Sequence, residues 1–236
     1  NTMLINDKSY LGGSTIYQDD DIFKINNEIS NVWLKNQIEE LKKIPNLTIK
    51  NRTSVAAFHG YNYLLARENL TDHLDAHERK GKIRQRLLKI RAKKVVIATG
   101  AIERPLIFSN NDRPGIILSS SIKKYIDYYG VKTGENISLF TNNDSAYETA
   151  ISLNKSGVKV KVIIDIRENP SSILSEKIEK TGIKILRGHT ITNTDGYKRI
   201  KSIDVMKLSK DGENVVGNKT TYKCDCLGIS GGWTPM

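Results

Sequence analysis

Cysteine is nearly absent: the 236 residues hold two, Cys224 and Cys226, one residue apart. Such neighbours on a strand share a face but sit too far apart for an easy bridge. No disulfide framework and no four-ligand metal site is therefore expected, and two reduced thiols in a cytoplasmic protein are. Long apolar runs are missing as well; none reaches the ~20 residues of a bilayer-spanning helix. No signal-peptide pattern opens the sequence. Aromatic residues make up 7% of the chain. None interleaves with the densest basic stretch, Lys80-Gly81-Lys82-Ile83-Arg84-Gln85-Arg86, so no stacking platform for nucleic acid is present. The formal charge of +11 reads as lysine spread over solvated faces, which excludes nucleic acid and membrane as expected partners and leaves an acidic subunit or an anionic cofactor. The four histidines, His59, His73, His77 and His189, lack a Ser, Cys or carboxylate constellation, so no catalytic residue is nominated. His73 and His77 stand four apart without a third ligand, and no metal is expected.

What is present is organised around Val95-Val96-Ile97-Ala98-Thr99-Gly100. The three β-branched residues predict a strand buried on both faces. The small residues after it let a backbone pass close to a ligand, and Pro105 ends the segment. Near the start, Met3 to Ile5 predicts a strand ending at Asp7, with Gly12 and Gly13 beyond it. In a dinucleotide fold the carboxylate at the end of the second strand accepts hydrogen bonds from the adenosine ribose hydroxyls. No first strand, G-x-G-x-x-G turn or first helix precedes it, so the chain is expected to begin inside a Rossmann unit. A helix is predicted over 30–43, from Leu34, Ile38 and Leu41 at helical spacing with Pro45 beyond the end. Leu47 to Ile49 reads as a parallel strand. Residues 51–58, 61–67 and 87–90 read as an antiparallel meander.

Beyond Pro105, Asn110-Asn111-Asp112-Arg113-Pro114-Gly115 is a turn-rich crossing. The expected domains are 1–105, a partial FAD-type unit, and 106–236, an NAD-type Rossmann-like unit. In the second, a helix over 119–129 stops at Gly130 and a strand covers 136–141. Ser145-Ala146-Tyr147-Glu148 has capping-box spacing and opens a helix to about residue 156. A strand over 158–164 ends at Asp165, followed by a helix from Ser171 to Thr181 and a strand over 183–186. This β-α-β-α-β series predicts a parallel sheet with right-handed crossovers. Residues 200–208 and 219–223 read as an antiparallel pair, and the stretch from Cys224 onward as a closing apolar strand with both thiols on one face. The turn Asn142-Asn143-Asp144 lacks glycine. Asp144 also sets a negative charge where a pyrophosphate needs donors, so this second nucleotide site is expected to be vestigial.

Ala98-Thr99-Gly100 at the end of its apolar run resembles the ATG motif of two-dinucleotide flavoprotein oxidoreductases of the glutathione-reductase and thioredoxin-reductase type. Together with Ala101-Ile102-Glu103-Arg104-Pro105, Asn110 to Ile116 and Asn142 to Glu148, it is similar to the alpha subunit of heterotetrameric sarcosine oxidase. Related alpha subunits occur in multimeric amine and amino-acid dehydrogenases. The resemblance covers essentially the whole chain but only an internal part of that subunit. It implies an α/β fold of two FAD/NAD(P)-binding Rossmann-like domains, the first truncated at its N-terminus. It also implies an enzyme that oxidatively demethylates sarcosine or a related secondary amine. The amine is oxidised at FAD on a beta-type flavoprotein subunit, and electrons pass to FMN at a subunit interface and then to oxygen. By the same resemblance Asp7, Gly12, Gly13 and the backbone near Val55 would contact the adenosine of NAD (or FAD), and Ala98, Thr99 and Gly100 would close over it. No cofactor is expected on the chain as given, and an exposed sheet edge is expected to be covered by another copy of it. Two other readings are a non-catalytic Rossmann-like assembly module and a piece of a pyridine-nucleotide-disulfide-type reductase. The reductase reading lacks its Cys-x-x-Cys.

Overall fold

The computed structural model describes residues 1–170 and 172–236. They form two compact units, 1–98 and 99–236, each described by itself.

Unit 1 contains β1 (Thr2–Ile5), a hairpin of two-residue strands β2 (Lys24–Ile25) and β3 (Glu28–Ile29), and α1 (Ser30–Lys42). β4 (Leu47–Lys50) lies parallel to β1, with Thr2 opposite Leu47 and Ile5 opposite Lys50. β5 (Thr53–His59), β6 (Tyr63–Asn69) and β7 (Gln85–Arg91) follow as the antiparallel meander expected from their alternation. Leu34 of α1 packs beneath the turn that leaves β1. Gly12 there has φ +106, and a methyl on it would overlap Leu34 Cδ2.

The strand expected at Val95–Ile97 does not form. Residues 92–100 carry no strand, and Val96 is 90% and Ile97 65% exposed. The reason is that a strand is a property of a pair. Three β-branched residues make a strand only where a neighbour accepts their hydrogen bonds. Among the described residues the parallel sheet of unit 1 is the β1–β4 pair alone.

Unit 2 shows the contrast. Its elements are β8 (Ala101–Glu103), β9 (Ile116–Leu118), α2 (Ser119–Asp127), β10 (Asn136–Thr141), α3 (Ser145–Lys155), β11 (Lys159–Asp165), α4 (Ile173–Glu179), β12 (Ile185–Arg187), β13 (His189–Gly196), β14 (Ile200–Leu208), β15 (Val215–Lys223), β16 (Cys226–Ser230) and β17 (Trp233–Pro235). A five-stranded parallel sheet runs in the order β12-β11-β10-β16-β9. Here too a meander, β13-β14-β15, precedes an apolar strand, but β16 finds β10 as its partner: Ile137 stands opposite Cys226 and Thr141 opposite Ser230. The core joins sheet and meander through Phe140, Val162, Ile164, Ile203 and Leu227. α2 reaches the sheet over Gly228, where a methyl would sit 2.7 Å from Ile122 Cδ1.

Three local expectations are corrected. Ser145 is not a capping residue: Asp144 holds the N-cap position of α3 and makes no side-chain cap. The capping box forms at α4 instead, between Ser172 and Ser175. The predicted start of that helix, Ser171, lies outside the described residues. β13 adds a third strand to the expected antiparallel pair; its Thr and Asn side chains masked the alternation around Ile191. Cys224 precedes the closing strand, and only Cys226 lies on it.

Candidate functional site

In unit 1 the chain leaves β1 and passes Asp7, Lys8 and Ser9, which line one side of a cavity of about 470 Å³. The other side comes from the meander. Ser54 on β5 stands opposite Arg67 on β6, and side chains two apart on a strand share a face, so Asn69 joins Arg67 there. Arg52 precedes β5 in a left-handed conformation, φ +49, which a non-glycine residue adopts at a cost of about 1–2 kcal/mol. Two hydrogen bonds hold it. Its N–H donates to the Lys8 carbonyl and its carbonyl accepts from the Asn69 N–H, each at 2.8 Å. Asp7 is exposed and pairs with Lys8 Nζ at 2.8 Å. A carboxylate at the end of a parallel strand beside an open cavity can accept hydrogen bonds from vicinal hydroxyls.

Of the other residues singled out from sequence, Gly12 and Gly13 open a short 3-10 turn, Gly13–Tyr17. Gly12 is there for Leu34, whereas Gly13 faces open space. Val55 follows Ser54 on β5 and is half exposed, and Ala98 closes unit 1. Thr99 and Gly100 belong to unit 2: the Thr99 hydroxyl donates to the Met236 carbonyl at 2.6 Å, and the Met236 N–H donates to the Gly100 carbonyl at 3.0 Å. Arg52 and Arg67 were not legible as site residues, because only the β5–β6 register brings them together.

Unit 2 holds the equivalent place at the C-terminal end of β10, and there the chain fills it. The Thr141 hydroxyl accepts from the Asn143 N–H at 3.0 Å. Asn143 Oδ1 accepts the Ser145 N–H at 3.0 Å, so a first-turn amide of α3 is already engaged. Asn143 Nδ2 donates to the Ser230 hydroxyl at 2.9 Å. Trp233 Nε1 donates to the Ser145 hydroxyl at 2.7 Å. Asp165, fully buried at the end of β11, has both oxygens taken. Oδ1 accepts the Arg167 N–H at 2.9 Å, and Oδ2 accepts the Tyr147 hydroxyl at 2.7 Å and Arg167 Nη2 at 2.8 Å. Arg167 also reaches Asp144 at 2.8 Å. Burial, then the bond to Asp165, pushes the Tyr147 hydroxyl well above the usual tyrosine range. Two carboxylates against one guanidinium leave net negative charge beside a helix N-terminus, the reverse of what a phosphate requires.

The two thiols are buried and unbridged. Burial pushes Cys224 up to about 12 and raises Cys226 as well. Among the described residues no group of three or more His, Cys, Asp or Glu could hold a metal, and no helix is long and apolar enough to cross a membrane.

No protein-family model matches the sequence. The chain is 36% identical over 204 residues to the sarcosine oxidase subunit alpha of Corynebacterium sp. strain U-96, covering 86% of this chain and 21% of that protein. It is 33% identical over 236 residues to that of Corynebacterium sp. strain P-1, covering 99% and 24%. The Rhizobium meliloti subunit alpha is 30% identical over 234 residues, covering 99% and 22%. The chain thus spans less than a quarter of the length of these relatives. Among solved structures, L-proline dehydrogenase from P. horikoshii aligns with a TM-score of 0.65 at 20% identity, over 99% of this chain and 37% of that one. Thioredoxin reductase from T. acidophilum aligns with a TM-score of 0.66 at 15% identity, over 99% and 69%. These likenesses show the FAD/NAD-binding oxidoreductase fold.

Proposed function

Taking this chain as a segment of the sarcosine oxidase subunit alpha type, we propose that it is the dinucleotide-binding scaffold of a heteromeric flavoprotein oxidoreductase acting on sarcosine or a related secondary amine. Asp7 carries the reading: a carboxylate at the end of a parallel strand, beside a cavity, in a fold shared with FAD/NAD-binding oxidoreductases. In this reading the domains are 1–105 and 106–236, as an FAD-type and an NAD-type unit.

The residues fit the adenosine end of a dinucleotide. Asp7 would accept from the ribose hydroxyls and the backbone around Ser54 and Val55 would border the base; by the family likeness the small residues Ala98, Thr99 and Gly100 would let a backbone pass close to a ligand. A bound flavin supplies the electron acceptor for amine oxidation. We assign no base or nucleophile among the described residues; the part given to this chain is to hold and orient, with specificity and chemistry on a beta-type flavoprotein subunit and FMN at an interface.

The test is to produce the alpha-type subunit containing this chain with a beta-type flavoprotein subunit, and to measure co-purification and sarcosine-dependent peroxide formation. Asp7→Ala is expected to weaken dinucleotide retention about tenfold, near the value of one charge-assisted hydrogen bond. A complex that neither assembles nor oxidises any secondary amine contradicts the reading.

A further inference from the structure

The meander of unit 1 ends in a strand that is open on one side. β7 pairs with β6 from Gln85, opposite Asn69, to Arg91, opposite Tyr63, with no break in register. Among the described residues no strand pairs with its other edge. A regular edge of this kind is a template for a further strand. The edge strand of the second meander is blunted by comparison: the pairing of β15 with β14 slips between Val205 and Lys207, and Gly217 has φ +77. The chain around β7 is also of one sign. Residues 79–94 hold nine Lys and Arg and no Asp or Glu. Only part of that charge is matched within the fold. Arg84 meets Asp72 at 2.7 Å and Arg86 meets Glu68 at 3.4 Å, and Arg91 lies 5.7 Å over the Tyr63 ring. Lys80, Lys82, Lys89, Lys93 and Lys94 have no ion-pair partner among the described residues. Alternation puts Leu87, Lys89 and Arg91 on one face of β7, and Leu87 there is 60% exposed.

A second copy of the chain laid edge to edge would set like charge against like. A bilayer or a nucleic acid could use the lysines but not the row of unpaired backbone groups or Leu87. We propose that the free edge of β7 docks an extended acidic segment of a partner protein, which adds to the meander as a fourth strand. Such a strand satisfies the edge backbone. At alternate positions it sets an apolar side chain beside Leu87 and carboxylates beside Lys89 and Arg91. The edge uses none of the residues assigned to the nucleotide.

The experiment titrates the alpha-type subunit containing this chain with short labelled peptides of alternating Val and Glu, Val and Lys, or Gly and Glu, and with duplex DNA and phosphatidylserine vesicles. The Gly-Glu peptide carries the charge without the strand propensity. The Val-Glu peptide is expected to bind most tightly, to weaken with added salt and to protect the amides of residues 85–91 from hydrogen exchange. K89E should weaken it about tenfold, as one reversed contact implies, and should improve binding of the Val-Lys peptide. K210E, the same charge change at an exposed turn of unit 2, should leave both unchanged. Equal binding of the Val-Glu and Gly-Glu peptides, binding without protection at 85–91, or binding indifferent to K89E overturns the inference. So does K89E-sensitive binding of the DNA or the vesicles that is tighter than that of the Val-Glu peptide, which would give the surface to that partner. Absence of peptide binding overturns it too. None of these outcomes bears on dinucleotide retention at Asp7, which tests the reading above.

Discussion

The Tyr147 hydroxyl donates a 2.7 Å hydrogen bond to Asp165 Oδ2, and neither residue is exposed to solvent. In a working nucleotide site the carboxylate at the end of this strand would be free for a ribose. Here a tyrosine from α3 and Arg167 engage both of its oxygens.

Removing the guanidinium tests how much that polar core matters. Arg167→Met strips Asp165 of its counter-charge while Asp165 stays buried, and is expected to cost about 2–4 kcal/mol in urea unfolding. The lower part of that range reflects the arginine's one-third exposure. The exposed pair Lys42–Glu39 serves as the control, since breaking a surface pair costs less than about 1 kcal/mol. Equal effects at the two sites would refute the buried role of Asp165.

Alkaline pH probes the same network. Because the folded state raises the Tyr147 hydroxyl above its ordinary value of about 10, the unfolded chain loses that proton first. The stabilisation is complete below about pH 10 and declines as pH rises above it. Tyr147→Phe should cost about 1.5–3 kcal/mol at neutral pH, as for a hydrogen bond to a charged group. It should also flatten the alkaline decline. An unchanged slope in urea melts between pH 8 and pH 11 would contradict this.

The thiols should be inert in the folded state. With Cys224 pushed up to about 12 by burial, a thiol reagent at pH 8 is expected to modify neither cysteine until denaturant is added, when both react. Rapid native labelling of either one would count against buried structural thiols.

The glycine pair separates packing from backbone freedom. Gly12→Ala meets both a positive φ and the Leu34 side chain, and is expected to cost about 2–4 kcal/mol by overpacking and strain together. Gly13→Ala, with φ +56 and open space around it, should cost only the strain, about 1–2 kcal/mol. The reverse order in thermal melts would show that the turn is held by something other than α1.

Much of unit 2 was legible because its signals are local. The bounds of β10 follow from the apolar run Ile137 to Phe140, and β11 ends at Asp165 as expected. Where the reading failed, the deciding partner was distant in sequence. Ser145 has the spacing of a capping box, yet its hydroxyl accepts from Trp233, 88 residues away. Val95–Ile97 has strand composition and no partner strand. The free Arg52 and Arg67 become a site only through the β5–β6 register. Asp7 and Asp165 look alike in sequence, each an acid at a strand end. What separates them is that Tyr147 and Arg167 reach the second, whereas among the described residues only Lys8 pairs with the first.

The most direct measurement of the account is hydrogen exchange on the alpha-type subunit containing this chain, with and without a saturating adenine dinucleotide. Protection is predicted at residues 5–13 and 52–55, with none at 141–147. Protection at 141–147, or none in unit 1, would contradict it.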